Sequence, residues 1–134
     1  MAANPYSFDQ TAVRLGVDAR AETLALDEHF WPRLMSGELG DFHHEFLITQ
    51  ARSIGRWSQA EMHPCGEEIV CLLDGAVDFV LQHSNGDETI TLREPGAFVV
   101  VPRGVWHYAE SSEACRLLFI TAGENTQHRP APQE

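Results

Sequence analysis

The stretch from Gly55 to Gly75, GRWSQAEMHPCGEEIVCLLDG, constrains what this 134-residue chain can fold into more than any other. A glycine opens it, Glu61, His63 and Glu68 follow, and a second glycine closes it. Glu61 and His63 stand at i and i+2, so on a strand they point to one face. The apolar run IVCLL, ended by Asp74-Gly75, reads as a second strand entering a hairpin turn. Neighbouring strands then carry three potential ligands, and His107 further on is the natural fourth.

The chain after His44 repeats this logic of strand and turn. HEFLITQARS is followed by RWSQAEMH, which sets Trp57, Gln59, Glu61 and His63 on a single face. EEIVCLL and AVDFVLQH come next, then ETITLRE beyond the strong hairpin signal Asn85-Gly86. Pro95-Gly96 turns the chain into AFVVV, and HYAES and CRLLFIT complete the set. Short strands at this spacing, with no helices between them, predict an antiparallel sandwich or barrel.

The first 43 residues are less regular. Tyr6 with Phe8, and Val13, Leu15 and Val17, alternate with polar residues as short edge strands do. Asp27 is expected to cap a helix that Pro32 limits to one or two turns. Phe30 and Trp31 belong to satellite core under a loop, or else plug an open barrel end. The Pro-rich tail HRPAPQE is expected to pack loosely or fray. His43 and His44 fit a loop or strand start, and His29, His83 and His128 fit the surface. The organisation expected is an N-terminal segment 1–43 packed on a barrel 44–121, with a tail 122–134.

Composition narrows the partners. The formal charge is −11 and every one of the nine basic residues is arginine. Such a surface repels a phosphate backbone, which argues against nucleic acid, and the absence of lysine removes Schiff-base chemistry. No apolar run approaches a membrane span and no secretory pattern follows Met1, so a cytoplasmic setting without membrane contact is expected. Three cysteines without CxxC spacing fit a reducing compartment. Cys71 and Cys115 read as small buried residues. Cys65, two residues past His63, is either a loop residue or a sulfur donor. No serine or cysteine nucleophile stands in a recognisable triad context, and no glycine-rich phosphate loop is present.

Two motifs carry a resemblance. Gly55-x5-Glu61-x-His63-x4-Glu68-x6-Gly75 is similar to the first cupin motif, with Glu61 where that motif has a histidine. Gly96-x5-Pro102-x-Gly104-x2-His107-x3-Ser111 is similar to the second, with Ser111 in place of asparagine. The resemblance implies an all-β double-stranded β-helix, a jelly-roll barrel, with a short irregular or helical N-terminal segment. It also implies a divalent metal on His63, Glu68 and His107. Glu61 is then a fourth ligand or, left free, a general base. Two imidazoles with one or two carboxylates suit Fe or Mn, with Zn or Ni as further options. The expected function is oxygenase or isomerase/lyase chemistry on a small organic molecule inside the barrel. A non-catalytic small-molecule binding or sensing domain is the alternative. Exposed edge strands suggest a homodimer.

Overall fold

The computed structural model describes residues 5–133; residues 1–4 and 134, the extremities of the two expected terminal segments, lie outside the described residues. In chain order the elements are β1 (Thr11–Leu15), β2 (Ala21–Ala25), α1 (Phe30–Met35), β3 (Phe46–Arg56), β4 (Gln59–Met62), β5 (Glu68–Asp74), β6 (Val77–His83), β7 (Gly86–Leu92), β8 (Phe98–Val101), β9 (Trp106–Ala122) and β10 (Gln127–Pro130). All pairings are antiparallel, and the strands form a sheet-rich barrel.

Strand β9 is the hub. Its first part, Trp106–Glu110, pairs with β6, and its last part, Arg116–Thr121, pairs with β5. β3 runs along the other edge from Ala122 to Glu110. Between the pairs Ser53↔Cys115 and Gly55↔Ser111 the register shifts, because β9 carries more residues there than β3. Such a bulge bends both strands. HYAES and CRLLFIT, expected as separate strands, are therefore the two arms of one bent strand. No glycine or proline lies between them to stop the pairing.

That bend also corrects the turn at Asp74-Gly75. β5 and β6 do not pair with each other; each pairs with a different arm of β9. The chain turns a corner rather than a hairpin. Gly75 sits there at φ +86°, and a Cβ would lie 2.6 Å from the carbonyl oxygen of Ala114. Only glycine satisfies both conditions. The hairpin signal further on holds with a small offset: Ser84 and Asn85 form the turn, and Gly86 already pairs with His83.

Inward-facing residues of the strands make the core. Val70, Leu72, Val77, Phe79, Leu81, Val99, Val101 and Leu117 are all buried in one cluster. Each large one contributes about 1.5–3 kcal/mol by leaving water. Cys115 belongs to this core, whereas Cys71 is only half-buried, because its position on β5 alternates with that of Leu72.

At the N-terminal end, β1 and β2 form a hairpin that adds to β3. Tyr6 and Phe8 precede it outside any strand and stay exposed. Asp27 Oδ1 accepts the His29 N–H at 2.9 Å, so it organises the turn into α1 while His29 occupies the cap position itself. Phe30 fills a satellite core with Ala12, Phe42 and Leu47, and Trp31 remains half exposed beside it. The tail departs most from expectation. Gln127–Pro130 pairs with β4, and Ala131 is buried with its N–H on the Ser58 carbonyl at 3.0 Å. No helix among the described residues is long and apolar enough to cross a membrane.

Candidate metal centre

The residues His63, Glu68 and His107 meet inside the barrel. Their ligand atoms all lie within 4.8 Å of one another, and each side chain is at most 4% exposed. Glu68 sits opposite Thr121 near the end of β9, while His107 sits near its start. Their contact exists because β9 bends. His63 enters from the end of β4, where the following Pro64 favours an extended backbone. Its carbonyl accepts the N–H of Gly104 at 3.0 Å, which ties the two sequence motifs together.

Each of the three side chains is held from behind. His107 Nδ1 donates to the Val105 carbonyl at 3.1 Å, leaving Nε2 with its lone pair in the neutral ring. His63 Nδ1 meets Thr126 Oγ1 at 2.9 Å. Thr121 Oγ1 donates to Glu68 Oε2 at 2.5 Å. The atoms that face one another are different in kind. His107 Nε2 lies 3.0 Å from Glu68 Oε1, and His63 Nε2 lies 3.4 Å from Glu68 Oε2. Yet His63 Nε2, Glu68 Oε1 and His107 Nε2 are buried without a hydrogen bond of acceptable direction. With both imidazoles neutral, three convergent, buried, unsatisfied donors are costly in a bare protein. Two imidazole nitrogens and a carboxylate oxygen are the donor set that a first-row divalent ion takes, so the residues fit a metal.

Electrostatics agree with the geometry. Burial raises the Glu68 carboxyl, but the imidazoles of His107 and His63 outweigh it and hold the group at about 2. For His107 burial pulls the other way, and the Glu68 carboxylate overcomes it and raises the pKa. The aromatic wall of Phe79, stacked at 5.6 Å and 22° on His107, and Trp57, edge-on at 6.4 Å, keeps this ring dry.

Glu61 stands beside this trio without joining its cluster. It is opposite His107 on β9 and opposite His128 on β10, so one cross-strand row reads His107, Glu61, His128. Its Oε2 is 3.6 Å from His128 Nε2. Burial raises its pKa, and the neighbouring Glu68 carboxylate raises it further. Glu61, His63 and Glu68 line a cavity of about 860 Å³ together with Trp57, Gln59, Phe119 and His128. Trp106, as its alternation with His107 implies, packs elsewhere, against Ala60, Val80 and Tyr108.

Cys65 lies outside the cluster, in a separate recess with Glu124 and Arg103. Burial and the Glu124 carboxylate raise its thiol pKa, which works against a thiolate. His43 and His44 reach the edge of Glu124 at 3.7 and 3.8 Å with exposed side chains. Sequence reasoning missed Thr121, Thr126 and His128. Thr121 was legible, since it shares an inward row with Leu117 and Phe119 and is the polar residue among them. Thr126 and His128 carry no local signal, because their place depends on β10 pairing with β4.

No family model matches the sequence, and no curated protein is significantly similar to it. Solved structures do match. A cupin-2 domain protein from Shewanella frigidimarina is 22% identical, with 57% of this chain covering 70% of that one at a TM-score of 0.49. Oxalate oxidase in complex with glycolate is 17% identical, with 63% of this chain covering 45% of that one at 0.52. Oxalate decarboxylase from Bacillus subtilis, described for its Mn(II) centres, is 18% identical, with 64% of this chain covering 23% of that one at 0.50. This chain thus spans less than half of either oxalate enzyme. At these identities the likeness concerns architecture, and it agrees with the bent-strand barrel described above. The chain has the all-β fold of the cupins.

Proposed function

We propose that this protein is a metal-dependent cupin that acts on a small organic molecule, with oxygenase or isomerase/lyase chemistry inside the barrel. The single observation that carries this reading is the convergence of three unsatisfied buried donor atoms on His63, Glu68 and His107, the first two of which line a cavity large enough for a small ligand. These residues would hold the ion. Iron or manganese suits a set of two nitrogens and one or two carboxylates, with zinc or nickel next. The Mn(II) centres named for oxalate decarboxylase support manganese in a barrel of this architecture. A bound divalent ion supplies Lewis-acid polarisation of a substrate oxygen, or redox capacity, at that end of the cavity.

The remaining steps belong to the chain itself. Phe79 and Trp57 exclude water from one side of the centre, which strengthens every charge interaction there. Gln59 and Glu61 supply polar anchors in a mixed lining, where Trp57 and Phe119 stand beside Thr49, Thr121 and His128. Glu61 is the residue we assign to acid–base work or to a fourth donor position, and its burial-raised pKa suits a carboxyl that holds and returns a proton. A homodimer in a cytoplasmic setting completes the reading.

Metal analysis of freshly purified protein beside His63→Ala tests it. About one equivalent of iron or manganese, lost in the variant, is the expected result. An empty site with a co-purified organic molecule overturns it and favours a binding or sensing domain.

A further inference from the structure

We propose that Thr126 is a positioning residue whose hydroxyl selects the tautomer of His63 that can bind metal, and that the C-terminal strand exists in its docked form to hold this hydroxyl in place. The inference rests on the metal reading of the site, and it concerns a segment that neither sequence motif contains.

Counting protons around Thr126 assigns their positions. Among the described residues Thr126 Oγ1 has two hydrogen-bonding neighbours: His63 Nδ1 at 2.9 Å and the carbonyl oxygen of Gly123 at 3.3 Å. A carbonyl oxygen only accepts, so in the arrangement that satisfies both contacts the single hydroxyl proton goes to Gly123. Towards His63 the hydroxyl can then only accept, and Nδ1 must carry the ring proton. In the neutral ring Nε2 is left bare, and Nε2 is the atom that faces Glu68 across 3.4 Å. The opposite tautomer would place a proton on Nε2, aim it at the carboxylate, and block the lone pair that a metal needs. Thr126 and Glu68 therefore compete for the same proton, from opposite sides of one ring. His107 is likewise held between two acceptors, the Val105 carbonyl at 3.1 Å from Nδ1 and the Glu68 carboxylate at 3.0 Å from Nε2.

Register explains why Thr126 stands where it does. Gln127 pairs with Met62 at the start of the β10–β4 ladder, so one further step places Thr126 across from His63. The preceding turn is tight, with Asn125 in the left-handed region at φ 58°, a conformation asparagine tolerates better than most residues. Besides the ladder bonds, the segment is pinned by further contacts. The Ala131 N–H bonds Ser58 at 3.0 Å, the Arg129 guanidinium covers the Trp106 ring at 4.1 Å, and Arg56 Nη1 reaches the Pro132 carbonyl at 2.7 Å. A strand whose own side chains are largely exposed gains little from burial, and these anchors hold it against β4.

The test compares Thr126→Val, which keeps the shape and removes the hydroxyl, with Thr126→Ser, which keeps the hydroxyl. Titration with Mn²⁺ alone, followed through the magnetic resonance signal of the free ion, reads affinity without any activity assay. Thr126→Val is expected to weaken Mn²⁺ binding about 10–100-fold, the usual effect of losing a partner of a ligating histidine, and Thr126→Ser to retain it. In parallel, nitrogen-15 spectra of the metal-free parent under alkaline conditions report the ring tautomer directly. The proton of His63 on Nδ1, lost as a fixed position in Thr126→Val, is the expected result. A parent with the proton on Nε2, or a Thr126→Val protein that binds Mn²⁺ as the parent does, overturns the proposal. If the parent takes up no Mn²⁺ at all, the metal reading fails separately, and the tautomer in the parent still decides the role of Thr126 even if the valine variant does not fold.

Discussion

Glu68→Gln in the metal-free protein probes the centre most directly, because the substitution keeps the size of the side chain and removes only its charge. Glu68 is 3% exposed, so solvent screening barely reduces the effect. A fall of its carboxyl from an ordinary 4.5 to about 2 corresponds to about 3 kcal/mol of stability. The sign follows from linkage. A depressed carboxyl contributes fully above its unfolded value and loses that contribution as pH falls towards 2. The raised pKa of His107 expresses the same contact from the other side, so it is not counted again. Its contribution is fully present below about 6.5 and fades as pH rises through the raised folded value. The deficit of Glu68→Gln should thus be greatest between the ordinary carboxyl and imidazole values and shrink on both limbs. Urea unfolding of the metal-stripped parent and variant across these limbs measures it. A deficit that is absent, or that stays the same at every pH, refutes the charge argument and assigns the residue a packing role only.

Mn²⁺ affinity is expected to weaken as pH falls through the raised pKa of His107, since protons compete for the donor nitrogens; a pH-independent affinity across that range refutes this. Glu61→Gln separates the two roles open to that carboxyl. Weaker Mn²⁺ or Fe²⁺ binding marks a donor, whereas unchanged metal content with turnover lowered about 10²–10⁴-fold marks a general base, and no change in either excludes both. Cys65→Ser should keep its metal, because the thiol sits in a separate recess; loss of metal would make the sulfur a ligand. A second copy is expected on the outer face of edge strand β8, where Phe98 and Val100 stand 58% and 45% exposed beside Ile69 in register with Val100. Phe98→Asp should then shift sedimentation from dimer to monomer, and a monomeric parent at tens of micromolar would refute it.

Local chemistry made much of this protein legible. Alternation exposed the strands, and turn residues marked most of their ends. The spacing from Gly55 to Gly75 and from Gly96 to Ser111 singled out Glu61, His63, Glu68 and His107 before any geometry was known, and the geometry gathers the last three into one cluster with Glu61 beside them. These signals survive in one dimension because each depends on residues a few positions apart. The bend in β9 does not. A run of residues without glycine or proline looks the same whether the strand continues straight or turns at a bulge, and only its two different partners, β6 and β5, force the turn. The same holds for the corner at Gly75, which resembled a hairpin until its flanking strands were seen to pair elsewhere. The tail is the clearest case. HRPAPQE has the composition of a loose end, and nothing in it anticipates a ladder with β4, since the partner lies about half the chain away. Pairing energy comes from the neighbour and not from the segment's own propensity. Tertiary structure alone therefore decided that Thr126 meets His63, that His128 meets Glu61, and that Cys65 lies in a separate recess.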